Sequence, residues 1–136
     1  MWNLRLTQAR AELALAAGAI DQAVSYATDA IAQARAVGRP KYEALAFRTR
    51  ADAHRVQRET GRAIDDARSG EAAARRTGNP ALLLALIGTV LSLAGSDELL
   101  AEARGLHEEI SRELPDPAAA LRFRDSPMTE QIRQWL

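Results

Sequence analysis

Alanines recur along this chain at helical spacing. Ala23, Ala27, Ala30 and Ala34 fall on one side of a helix, and Ala63, Ala67 and Ala74 repeat the stripe further on, because residues three, four and seven apart share a helical face. Leu99, Ala103, Leu106, Ile110 and Leu114 keep the same periodicity with larger side chains. Each stripe predicts the second helix of a pair. The first members are predicted over about 2–17, 41–57 and 81–93, with Ala81 to Ala94 the most continuously apolar stretch of the chain. Breaks fall where the chemistry suits them. Gly18, Gly38 and Gly78 stop helices, Asp21 suits a helix N-terminus, Arg58-Glu59-Thr60-Gly61 is a polar break, and Ser96 in Gly95-Ser96-Asp97 is a good N-cap.

The stops are themselves periodic. Gly38-Arg39-Pro40 and Gly78-Asn79-Pro80 stand 40 residues apart, and Arg10 with Arg50, and Arg35 with Arg75, match at the same offset. Leu99 aligns with Ala63 at 36, so the third repeat has lost about one helical turn while keeping its phase. A period of this length signals a stack of helical hairpins. The expected fold is all-α: a right-handed array of three antiparallel hairpins over about 2–38, 40–78 and 80–113, closed by short capping helices within 115–136, in one domain of 1–136. In that cap Asp116 precedes Pro117 and Ser126 precedes Pro127, each a cap followed by a helix-starting proline, with Phe123, Ile132 and Trp135 as the apolar side.

Hairpin order, together with the small-xxx-small spacing of Ala23, Ala27 and Ala30 after Gly18, resembles the tetratricopeptide repeat. The resemblance covers about 2–112. The long period is similar to the variant in regulatory regions of bacterial LuxR-type regulators, signalling NTPases and cyclase-linked ATPases, and the tail Leu114-Pro115-Asp116-Pro117 with Leu121 and Phe123 is similar to their endings. It implies a non-catalytic interaction or coupling module, a C-terminal segment of a larger bacterial regulatory or signalling protein; the lack of cysteine fits a reducing cytoplasm. HEAT-type repeats share the period and remain an alternative.

Composition narrows the function classes. Eighteen cationic residues balance eighteen anionic ones, so no overall field draws the chain to nucleic acid or anionic lipid. At 14 residues, Ala81 to Ala94 is too short to span a bilayer, which takes about 20. Without cysteine there is neither a disulfide framework nor a thiolate nucleophile. His54 and His107 have no metal-ligand spacing, and Asp65-Asp66, Asp97-Glu98 and Glu108-Glu109 are adjacent pairs that diverge by about 100° on a helix. No phosphate loop, nucleophile elbow or zinc-protease helix occurs. No enzyme, cofactor or metal is expected. Arg75-Arg76 reads as positive charge closing a helix, and the carboxylate pairs as solvated faces.

Two surfaces invite partners. Arg5, Gln8 and Glu12 lie on one strip of the first helix, and Leu45, Arg48 and Asp52, joined by Arg55, continue that strip on the third. Gln8, Glu12, Arg48, Asp52 and Arg55 are therefore expected to line a groove for an extended peptide or partner helix, the simpler alternative being an Arg48–Asp52 ion pair. The first helix also carries two apolar stripes: Trp2, Leu6, Ala9 and Leu13 on one side, and Leu4, Ala11 and Leu15 opposite. The second stripe is expected at an exposed edge that pairs in a homodimer or meets upstream repeats. A rival reading is a small-molecule sensor with an apolar pocket where Leu84, Gly88, Leu91 and Trp135 would meet.

Overall fold

The computed structural model describes residues 3–113 and Arg122. Trp2 and, Arg122 aside, the expected cap over 115–136 lie outside them. The described residues form six helices and no strand: α1 (Leu4–Ala16), α2 (Ile20–Val37), α3 (Pro40–Val56), α4 (Thr60–Thr77), α5 (Pro80–Leu93) and α6 (Asp97–Glu113). Every helix packs on the next in sequence, and α1 also meets α3, as α3 meets α5.

The 40-residue period reaches down to single hydrogen bonds. Gly38 and Gly78 end α2 and α4 at φ +67° and +68°, and each donates to the residue three back at 3.4 Å. After α1, Gly18 takes φ +79°; its counterpart after α3 is Arg58, at φ +61°. Beside them, Ala19 N–H bonds to the Ala14 carbonyl at 2.8 Å and Glu59 N–H to that of His54 at 2.9 Å. The two copies make the same left-handed turn, although the second has no glycine there.

Local chemistry shifts some expected boundaries. Asp21 lies in the first turn of α2 rather than capping it, because the helix starts at Ile20. Gly61 falls inside α4, so the polar break is shorter than expected. Ser96 caps α6, its Oγ accepting from Leu99 N–H at 3.2 Å, and Asn79 does the same for α5 through Leu82 N–H at 3.1 Å.

Small side chains set the spacing of the helices. Ala23, Ala27, Ala30 and Ala34 of α2 and Ala63, Ala67, Ala73 and Ala74 of α4 are wholly buried. Where α2 has Ala30, α4 has Gly70, and a Cβ there would stand 2.7 Å from Leu86 Cδ1 and 3.1 Å from Phe47 Cβ. The large buried side chains concentrate in α5: Leu84, Leu86, Ile87, Thr89 and Val90. The Leu99–Ile110 stripe of α6 packs on the Leu84, Ile87 and Leu91 side of that helix.

Charged groups clamp the Ala-rich layers. Asp66, expected on a solvated face, is instead buried on α4, where Arg50 of α3 holds both its oxygens at 2.8 Å and His54 Nε2 lies 3.5 Å away. Arg50 also donates to Thr28 Oγ1 on α2 at 3.1 Å, so one guanidinium ties three helices. Glu43 of α3, likewise buried, accepts from Arg35 of α2 at 3.3 Å and Arg76 of α4 at 2.8 Å. Arg75 forks onto Glu102 of α6 at 2.7 and 2.8 Å, and its hydrogen bonds hold that carboxyl below the usual range. The Arg75-Arg76 pair thus has specific partners beyond the helix dipole.

Two tests of stability follow from this geometry. A left-handed backbone costs a residue with a Cβ roughly 1–2 kcal/mol, and glycine's greater freedom when unfolded returns part of that. Arg58→Gly is expected to stabilise the fold by about 0.5–1 kcal/mol, while Gly38→Ala destabilises it by about 1 kcal/mol, as read from urea unfolding midpoints. Leu86, wholly buried against the Gly70 layer, should cost about 2–5 kcal/mol when cut back to alanine.

Candidate functional site

Helical spacing turns two sets of side chains toward one another where α1 and α3 run side by side. Glu12, Leu15 and Ala16 of α1 face Leu45, Arg48, Thr49 and Asp52 of α3 across an open cleft of about 260 Å³. Residues three, four and seven apart lie on one face, which is why 45, 48, 49 and 52 converge. Leu15, Ala16 and Leu45 give the cleft apolar walls; Glu12, Arg48 and Asp52 place two carboxylates and one guanidinium at its edges.

Gln8 joins the helices beneath it. Buried at 4% exposure, it donates from Nε2 to Glu12 Oε1 at 3.0 Å and to Thr49 Oγ1 at 3.2 Å. The Thr49 hydroxyl donates in turn to the Leu45 carbonyl at 3.1 Å. Gln8 is accordingly part of the scaffold, not the surface. Glu12, by contrast, is exposed, and its orientation is fixed by that amide.

Asp52 has the unusual electrostatics. Burial pushes its carboxyl above the usual aspartate range, and the attraction of Arg55 and Arg48 offsets this only in part. Arg55 does not line the cleft; it is exposed outside it and holds Asp52 Oδ1 at 3.3 Å. Of the five residues expected in a groove, Glu12, Arg48 and Asp52 therefore line it, Gln8 underlies it and Arg55 flanks it. The sequence reading missed Leu15, Ala16 and Thr49 as lining residues. Leu15 stands where the Leu4 and Ala11 stripe borders the groove strip, whereas Thr49 stands next to Arg48 on the same turn and was legible from spacing alone.

The apolar edge is where the structure reverses an expectation. Leu4 is 5% exposed and Ala11 wholly buried. Leu4 packs with Ala30, Ile31, Ala34 and Phe47, and the half-buried Leu15 packs on the cluster of Ala14, Ala23 and Ala53. The stripe of Leu4, Ala11 and Leu15 is therefore interior, and Leu6, Ala9 and Leu13 form the exposed one. Both stripes are apolar, but α1 contacts α2 and α3 together, and only the Leu4 side lies within the arc that two neighbours enclose.

Other concavities are less available. Leu84, Gly88 and Leu91 are buried, and Leu84 and Leu91 pack with Ala103 of α6, while Trp135 of the imagined sensor pocket lies outside the described residues. A depression of about 400 Å³ beside Arg39, Lys41, Tyr42 and Arg76 is cationic. There Arg76 is engaged by Glu43, and the Tyr42 hydroxyl accepts from Arg5 Nε at 2.8 Å. Among the described residues no cluster of histidine and carboxylate side chains could hold a metal ion, and no helix is long and apolar enough to cross a membrane.

A raised carboxyl makes the cleft sensitive to pH. The fold holds the Asp52 proton more tightly than the unfolded chain does. Its contribution to stability is thus complete below the ordinary aspartate value of about 3.9 and is lost as pH rises through the raised value. Asp52→Asn, which cannot ionise, is expected to melt higher than the parent at neutral pH. The advantage should shrink steadily as paired thermal melts are taken to mildly acidic pH.

In comparisons with known proteins, no family model, no curated protein and no solved structure matches this chain.

Proposed function

We propose that the chain is a tetratricopeptide-like module, a right-handed array of three hairpins, that holds a peptide or partner helix in the cleft between α1 and α3. The contacts of α1 with α3 and of α3 with α5 support the array, since the first helices of successive hairpins then share one side. The observation that carries the binding reading is Asp52: a carboxylate half-buried beside the apolar walls of Leu15 and Leu45, its charge incompletely compensated. A cationic side chain entering the cleft adds to the compensation that Arg55 and Arg48 begin, and aliphatic neighbours of that cation cover Leu15, Ala16 and Leu45. The favoured ligand is therefore an extended or helical segment with lysine or arginine flanked by apolar residues. Such a module couples other proteins or domains without catalysis, in keeping with a cytoplasmic regulatory protein.

Peptide display against the chain, with counter-selection on Leu45→Glu, tests this. Enriched peptides are expected to carry the basic and aliphatic pattern, to shift backbone amide resonances of α1 and α3, and to bind Asp52→Ala about tenfold or more weakly, the value of a charged hydrogen bond. Their affinity should also fall as acid protonates Asp52. Selected peptides that bind Leu45→Glu as well as the parent, or whose resonance shifts map elsewhere, would overturn the assignment.

A further inference from the structure

Among the described residues, one apolar face of α1 is exposed. Leu6 and Leu13 are 47% and 69% exposed, and Ala9 between them is exposed as well. At about 100° per residue the three lie on one stripe of α1.

The internal repeat indicates what such a face receives. Forty residues on, the counterparts of Leu6 and Leu13 are Ala46 and Ala53 of α3, both wholly buried. Ala46 packs with Ala30, Ile31 and Ala34 of α2, and Ala53 with Ala23. On α3, therefore, this face is covered by a helix. On α1 the leucines stand where α3 has alanine, so an added helix cannot approach as closely as α2 approaches α3.

The stripe is complementary to itself. With a small residue between two leucines, an antiparallel copy centred on Ala9 sets Leu6 beside Leu13 of the partner subunit, twice, with the alanines at the crossing. Arg5 and Glu12 lie on one margin of the stripe, both exposed. A two-fold axis perpendicular to the helices brings the same margins together, so Arg5 meets Glu12 of the partner subunit on each side of the centre. A parallel pair, whose two-fold axis runs along the helices, would instead bring opposite margins together and set Arg5 toward Arg10 of the partner subunit. Arg10, on the other margin, faces its own copy in the antiparallel pair, and that like-charge contact keeps the association weak.

We propose that α1 is a self-association face on which two copies of this chain pair antiparallel across Ala9 through Leu6, Leu13, Arg5 and Glu12. The homodimer expected from the sequence is thereby moved to the opposite stripe. One helix per subunit buries less than the roughly 800 Å² per partner of a standard interface, so the pairing is reversible and depends on concentration.

Sedimentation velocity across a wide concentration range, reaching millimolar, tests this, with circular dichroism confirming that each variant is folded. The parent chain is expected to pass from monomer to dimer, and Leu13→Glu to stay monomeric. Arg5→Glu and Glu12→Arg should each weaken the dimer several-fold, and the double exchange Arg5→Glu with Glu12→Arg should restore it. A parent that remains monomeric, a dimer indifferent to Leu13→Glu, or a double exchange no tighter than the single ones would overturn the proposal.

Discussion

Close approach of helices through alanine is the constraint on which this structure depends. A wholly buried alanine removes little apolar surface from water compared with leucine, and burial stabilises by roughly 25 cal/mol per Å². The alanines act chiefly through what they permit. Ala23, Ala27, Ala30 and Ala34 on α2, and Ala63, Ala67 and Ala74 on α4, let backbones come near enough for many weak dispersion contacts at once. Gly70 takes this furthest, leaving room where Phe47 and Leu86 converge on α4. Only α5 concentrates large apolar side chains, and α6 supplies leucines and Ile110 on its far side.

A stripe of like alanines has a weakness: slipped by one turn, it packs nearly as well. Ion pairs to the buried carboxylates Asp66 and Glu43 oppose that slip. Arg50 reaches both oxygens of Asp66 and the Thr28 hydroxyl, which fixes α3 against α4 and α2 simultaneously. Glu43 repeats the device from the same helix toward Arg35 and Arg76. A bidentate guanidinium–carboxylate pair is directional, so a shift of one turn would leave charge buried without a partner, at several kcal/mol. Phe47 links the two clamps, since the Arg35 and Arg50 guanidinium groups lie 5.2 and 5.4 Å from its ring centroid.

The cleft is a by-product of the same packing. Once α2 holds α1 and α3 side by side, the strips that face away from α2 must converge, and their polar residues meet over a narrow apolar gap. Asp52 is then desolvated by more than its attraction to Arg55 and Arg48 offsets, and Gln8 is drawn under the surface to join α1 to Thr49. The exposed leucines of α1 follow from the same geometry, because two neighbours can cover only one side of a helix that is apolar on both.

Periodicity let the sequence alone determine the helices, the 40-residue repeat and the Ala-striped faces, since each of these depends on residues near in sequence. The same spacing placed Glu12, Arg48 and Asp52 on facing strips. Tertiary structure decided what depends on enclosure. Leu4 and Leu6 are the same residue type on the same helix, yet one is buried and the other half exposed, because the number and position of neighbouring helices are not written in a local pattern. Asp66 read as a solvated charge until the distant Arg50 was brought to it. Arg58 gave no sign of a left-handed turn, because the fold imposes on it the conformation that Gly18 adopts freely.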